Sequence, residues 1–167
     1  MRKSFRQSVF VGALALLGAS AAWAEAPLPA PVNPACVSSP FGPRRAVGPR
    51  AALFHNGIDF PAPAGAYVHA VADGTVVAIR RLGAEGLEVD VLTRRPAGSD
   101  RPDMVARYAH LGTVTPALAE GARMIAKGGA LGRVGRTGVT YGTHVHFELR
   151  LDGRLVDPEP FFGVRRC

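Results

Sequence analysis

The chain has 167 residues, of which 47% are hydrophobic and 20% charged, with a formal net charge of +7. That length supports one apolar core but not two. The basic excess lacks the clustered basic and aromatic stretches of a nucleic-acid surface and reads as a solvated, arginine-rich exterior.

Residues 1–24 read as an address for export. Arg2, Lys3 and Arg6 form a basic start, and residues 9–17 are an uncharged apolar run shorter than the ~20 residues of a bilayer span. Ala22-Trp23-Ala24 places small residues around a cleavage point after Ala24. Without this segment, seventeen lysines and arginines face thirteen acids, a net charge of +4. No later segment of the sequence is suited to span a membrane. The signal-like start sets the expected location as periplasmic or secreted, with an uncleaved membrane anchor as the alternative reading of residues 1–24. Export also argues against nucleic acid as a partner.

Residues 25–35 are rich in proline and without apolar periodicity, which predicts an extended, mobile linker. A single domain over residues 36–167 follows, with no repeats or heptads. Its pattern is mostly of period two. Residues 67–79 predict two strands or a bent hairpin around Asp73-Gly74, and residues 87–93 alternate Leu87, Val89 and Val91 with Glu88 and Asp90. Residues 116–127, interrupted by Gly121, predict loop and short strand. Residues 143–151 alternate strongly, so that Val145, Phe147, Leu149 and Leu151 point to a core while His144, His146, Glu148 and Arg150 share the opposite face. The fold class expected is therefore all-β and antiparallel.

Four of the five histidines fall in three short motifs: His55-Asn56-Gly57-Ile58-Asp59, Tyr108-Ala109-His110-Leu111 and His144-Val145-His146-Phe147. A metal that generates a nucleophile from water needs three protein ligands, one open position and a neighbour that manages protons. His55, Asp59, His110, His144 and His146 are five candidates for those tasks. His144 and His146 sit roughly 7 Å apart along a strand, too far for easy ligation of one ion by both. One of them can bind metal while the other faces the substrate.

Taken with Ser39-Pro40-Phe41-Gly42-Pro43-Arg44, Val71-Ala72-Asp73-Gly74-Thr75-Val76 and Gly132-Arg133-Val134-Gly135-Arg136-Thr137-Gly138, these motifs stand in the order and approximate spacing of a known family. From about Ser38 to Phe162 the chain resembles the lysostaphin/LytM-type zinc metallopeptidases, which cut the peptide cross-links of bacterial peptidoglycan. The resemblance implies a single antiparallel sheet or sandwich-like domain of the duplicated-hybrid-motif type and a zinc cofactor. It implies His55, Asp59 and His146 as zinc ligands, with His110 and His144 as the catalytic pair. Which of the two is the base is left open. The partner implied is the peptidoglycan cross-link, met by a monomer. A catalytically inactive domain of the same fold, one that binds and activates a cell-wall amidase, is the alternative; such domains typically lack several of the ligand residues that are all present in this chain.

Gly57 is expected to let the backbone turn so that His55 and Asp59 converge. Glu148 is assigned to the surface or to support of the site, Arg44 to contact with substrate, and His69 to structure or surface. The cysteines stand at the start and end of the domain, and a Cys36–Cys167 bridge is expected of an exported protein. Free thiols or intermolecular pairing are the alternatives.

Overall fold

The structure, a computed structural model, describes residues 26–45 and 48–167; the reading of residues 1–24 as an export signal lies outside them. The described chain is nearly all β, with 42% strand and 5% helix. Its strands are β1 (Gly42–Pro43), β2 (Phe54–His55), β3 (Ile58–Pro61), β4 (Tyr67–His69), β5 (Gly74–Arg80), β6 (Leu87–Thr93), β7 (Met104–Val114), β8 (Met124–Ile125), β9 (Ala130–Val134), β10 (His144–Leu151) and β11 (Arg154–Val156). One helical turn, α1 (Pro116–Ala119), leads from β7 towards β8.

The long strands β6, β7 and β10 build the centre of an antiparallel sheet ordered β11-β10-β7-β6-β5-β8, with β3 added to β10, β9 to β7 and β4 to β9. Alternation gives each central strand one apolar face. Val145, Phe147 and Leu149 of β10 are fully buried, as are Tyr108 of β7 and Phe60 of β3. The ring of Phe147 meets Tyr108 at 5.3 Å and Phe162 at 5.2 Å, both edge to face, the arrangement that aromatic quadrupoles favour. The Tyr108 hydroxyl escapes the cost of burial by accepting the Val71 backbone N–H at 2.9 Å.

The opposite face of the same strands carries a ladder of charges rather than an open polar surface. Arg107 of β7 grips Asp90 of β6 through two bonds, at 2.8 and 3.1 Å. Arg80 of β5 bonds Glu88 and Asp90, and Arg150 bonds Glu148 within β10 at 2.6 Å. Glu88, Asp90 and Glu148 are nonetheless buried, and each is paired with at least one arginine, which offsets the cost of burying its charge.

Of the two readings of residues 67–79, two strands holds and the hairpin does not: β4 pairs with β9, whereas β5 pairs with β6. Alternation identifies a strand without naming its neighbour. Residues 116–127 include the α1 turn besides the expected loop and short strand.

The lead over residues 25–35 is also not a free linker where it is described. Pro31 and Val32 are buried, the Leu28 N–H bonds the Phe161 carbonyl at 2.8 Å, and the Pro31 carbonyl accepts from the His69 N–H at 2.9 Å. Proline removes backbone donors without preventing its carbonyl or its apolar ring from being used by a neighbour. Cys36 and Cys167 are joined in a disulfide, with their Cα atoms 5.3 Å apart.

Candidate metal and catalytic site

Antiparallel pairing brings the motifs together. In the β3–β10 register His146 stands directly opposite Asp59, so the two side chains leave the sheet on one face. His55 arrives from β2, which among the described residues pairs only with β1, and its approach depends on Gly57. A Cβ on Gly57 would lie 2.1 Å from the Phe147 carbonyl oxygen of β10. The glycine is thus required by close approach of two backbones rather than by a turn, a correction to its expected role.

The result is a triangle of lone-pair atoms. His55 Nε2 lies 3.1 Å from Asp59 Oδ1 and 3.0 Å from His146 Nδ1, and His146 Nδ1 lies 3.0 Å from Asp59 Oδ1. A tetrahedral zinc shell with bonds of 2.0–2.1 Å has ligand–ligand edges of about 3.3 Å, so this triangle has close to the size of one face of that tetrahedron. The donor set, two imidazoles and a carboxylate, is one that zinc accepts. His55 is also in the tautomer a ligand needs: its Nδ1 donates to the Pro40 carbonyl at 2.8 Å, leaving the Nε2 lone pair for the triangle.

The other two histidines border the triangle. His144 Nε2 lies 3.4 Å from Asp59 Oδ1, and its ring centroid is 5.0 Å from that of His110. His110 reaches this place by an irregularity. Strict alternation would send it to the core side with Tyr108, but β7 shifts register between Leu111 and Thr113, and the φ of His110 is +60°. That left-handed conformation costs a non-glycine residue of order 1 kcal/mol or more, and it turns the ring to the site. There Nδ1 donates to the Thr137 carbonyl at 2.9 Å, which leaves Nε2 as the acceptor.

Electrostatics follow from burial and contact. Burial alone would raise the pKa of Asp59, but hydrogen bonds from His146 and His55 and the charges of His144 and His146 outweigh it and hold the carboxyl well below the usual range. Burial pushes His144 down to about 4, against the pull of Asp59, and it also lowers His110. Both rings are therefore neutral near pH 7. For His146 burial is overcome by Asp59, Glu148 and Glu85, and the pKa rises to about 9. A cation at the triangle would replace the protons that now stabilise these contacts.

The site opens into a groove of about 280 Å³, lined among others by Arg44, Arg50, Phe54, Thr140 and Tyr141. The Tyr141 hydroxyl accepts the Arg50 backbone N–H at 3.0 Å, joining two of the lining segments. Arg44 donates to Ser39 Oγ at 3.1 Å and lies 3.9 Å from Asp59. All five candidates, His55, Asp59, His110, His144 and His146, line this one groove. His69 stands apart and bonds the Gly128 carbonyl. Sequence reasoning missed Glu85, which lines the groove from a loop, and the carbonyls of Pro40 and Thr137, which have no side-chain signature.

Residues 53–158 match the family model of peptidase family M23. The chain belongs to peptidase family M23. Its relatives include the DD-carboxypeptidase/endopeptidase Mpg of Neisseria meningitidis, 35% identical over 122 residues that make up 73% of this chain and 26% of that protein. The peptidoglycan DD-endopeptidase ShyA of Vibrio cholerae is 34% identical over 123 residues, 72% of this chain and 26% of the relative. The chain thus spans about a quarter of the length of these curated relatives. Among solved structures, a zinc-containing peptidase from Vibrio cholerae superposes with a TM-score of 0.63 at 28% identity, over 80% of this chain and 39% of that one. The all-β M23 fold is the architecture that the sequence motifs imply.

Proposed function

We propose that this M23 chain is an exported zinc metalloendopeptidase that hydrolyses the peptide cross-links of bacterial peptidoglycan. The observation that carries the proposal is the triangle of His55 Nε2, Asp59 Oδ1 and His146 Nδ1 beside His110 and His144 in an open groove. The three triangle residues are the zinc ligands. When bound, zinc supplies Lewis acidity, which polarises a carbonyl and lowers the pKa of water.

The remaining chemistry belongs to the chain's own side chains. His110, with its Nδ1 proton committed to Thr137, offers Nε2 as the base. As the water oxygen attacks the scissile carbonyl carbon, one water proton passes to His110 Nε2. His144 orients the water from the adjoining position. When the carbon–nitrogen bond breaks, the imidazolium returns its proton to the departing amine, leaving a free amine and a carboxylic acid, whose remaining water proton is then released to solvent to give the carboxylate. The groove lined by Arg44, Phe54 and Tyr141 receives an extended peptide.

Export is supported by the basic and apolar pattern of residues 1–24 and by the Cys36–Cys167 disulfide, a bond that persists in oxidising compartments. Among the described residues no helix is long and apolar enough to cross a membrane. Digestion of purified peptidoglycan with the zinc-loaded chain, followed by mass analysis, tests the reading. Cross-linked muropeptides should fall to un-cross-linked ones with the glycan strands whole, chelator should stop the reaction, and zinc should restore it. New reducing sugar ends, or no turnover at full zinc occupancy, would overturn it.

A further inference from the structure

The two histidines of the triangle differ in how their second nitrogen is held. His55 has its Nδ1 fixed on the Pro40 carbonyl. His146 Nε2, by contrast, is a buried nitrogen with no hydrogen-bond partner. The groups that face it are both carboxylates, Glu148 Oε1 at 3.5 Å and Glu85 Oε2 at 3.8 Å.

These two carboxylates are built differently. Glu85 stands at the groove with its side chain 31% exposed, whereas the Glu148 side chain is 2% exposed. Glu148 Oε2 is held by Arg150 Nη1 at 2.6 Å and faces Arg107 Nη1 at 3.5 Å. Arg107 is itself braced by its two bonds to Asp90. With one oxygen occupied by guanidinium groups, the other is left to the imidazole. The strand period puts it there, since Glu148 follows His146 by two residues on one face of β10.

We propose that Glu148 is a positioning residue of the metal centre: its Oε1 accepts the Nε2 proton of His146, fixing the ring so that the Nδ1 lone pair faces His55 and Asp59. A carboxylate in this place sets ring orientation and raises the basicity of the ligating nitrogen. The inference rests on the metal reading given above. It also competes with a second use of the same residues, because ligand atoms of Glu85, His146 and Glu148 lie within 4.8 Å of one another and form a set able to hold a cation. The engagement of Glu148 Oε2 by arginine favours the positioning role.

The test is the zinc dissociation constant, measured by competition with a chromogenic chelator, together with zinc stoichiometry and the ¹⁵N spectrum of the His146 ring. Glu148→Gln should weaken zinc about 10- to 100-fold, and the zinc-loaded wild type should show an exchange-protected Nε2 proton that this variant loses. Because unpaired arginines will also destabilise the variant, Leu131→Ala is the control. Leu131 is fully buried in β9, so its truncation should lower the melting temperature yet leave the zinc constant within about twofold. Equal zinc constants for wild type and Glu148→Gln, or a weakening no greater than that of the control, would overturn the proposal. So would two zinc ions per wild-type chain. A wild type that binds no zinc would instead overturn the metal reading on which the proposal stands.

Discussion

In the proposed roles, ligand and proton carrier stand close together in this site, and substitution should separate them. His55→Ala, Asp59→Ala and His146→Ala each remove one corner of the triangle, so zinc and activity should be lost together. His110→Ala and His144→Ala should keep near-stoichiometric zinc while losing ~10²- to 10⁴-fold in rate, the range of a general acid or base. Metal analysis beside kinetics on the same preparations checks both halves. The five proposed site residues were legible because their side-chain types suit metal and proton chemistry and stand in ordered motifs. What held them was not. The tether of His110 is a carbonyl at Thr137, and its orientation depends on a φ of +60° in a strand whose alternation points the other way. Glu148 was half legible: the period of two put it beside His146, but nothing in the sequence told that arginines from two strands would bury it.

At the scale of strands, the site depends on how closely β10 meets the segment between β2 and β3. Gly57→Ala would place a Cβ 2.1 Å from the Phe147 carbonyl oxygen, and backbone cannot yield as a side-chain tip can. The variant should lose about 1–3 kcal/mol of stability, the usual cost of overpacking, and bind zinc more weakly; denaturant unfolding and chelator competition measure the two effects. The charged ladder on the same sheet gives a pH dependence. Burial would raise the Asp90 pKa, but Arg107 and Arg80 outweigh it and hold it below the ordinary carboxylate value. A group depressed in this way contributes stability that is fully present above its unfolded pKa of about 3.9 and is lost as pH falls from there through the folded value. Asp90→Asn should therefore cost about 1.5–3 kcal/mol near neutral pH, the range for hydrogen bonds to charged groups, and flatten the acid limb of the stability profile. An acid limb identical to that of the wild type would contradict the role given to the ladder. Strand identity was readable from period two at β6 and β10, but partner choice was not: β4 and β5 adjoin in sequence and pair apart.

For the whole molecule, the two ends of the folded chain are tied together. Cys36 and Cys167 are 131 residues apart in sequence, and Leu28 and Val37 pair with the C-terminal segment at Phe162 and Arg166. A bridge closing so long a loop stabilises by about 2–5 kcal/mol, chiefly by restricting the unfolded chain. Reduction should lower the melting temperature while leaving zinc in place, because neither sulfur belongs to the triangle; calorimetry and metal analysis of the reduced protein check this. The bridge was legible from the cysteines at the start and end of the domain, whereas the packing of the proline-rich lead was not, since its contacts run through backbone groups and a few apolar side chains with no periodicity. The central claim concerns one point in this molecule, the metal centre that His55, Asp59 and His146 build. Anomalous diffraction at the zinc edge from crystals of the zinc-loaded protein locates it directly. A single zinc peak bonded to His55 Nε2, Asp59 Oδ1 and His146 Nδ1 is the result predicted, and a zinc ion held instead by Glu85, His146 Nε2 and Glu148, or no zinc peak at the triangle, would contradict it.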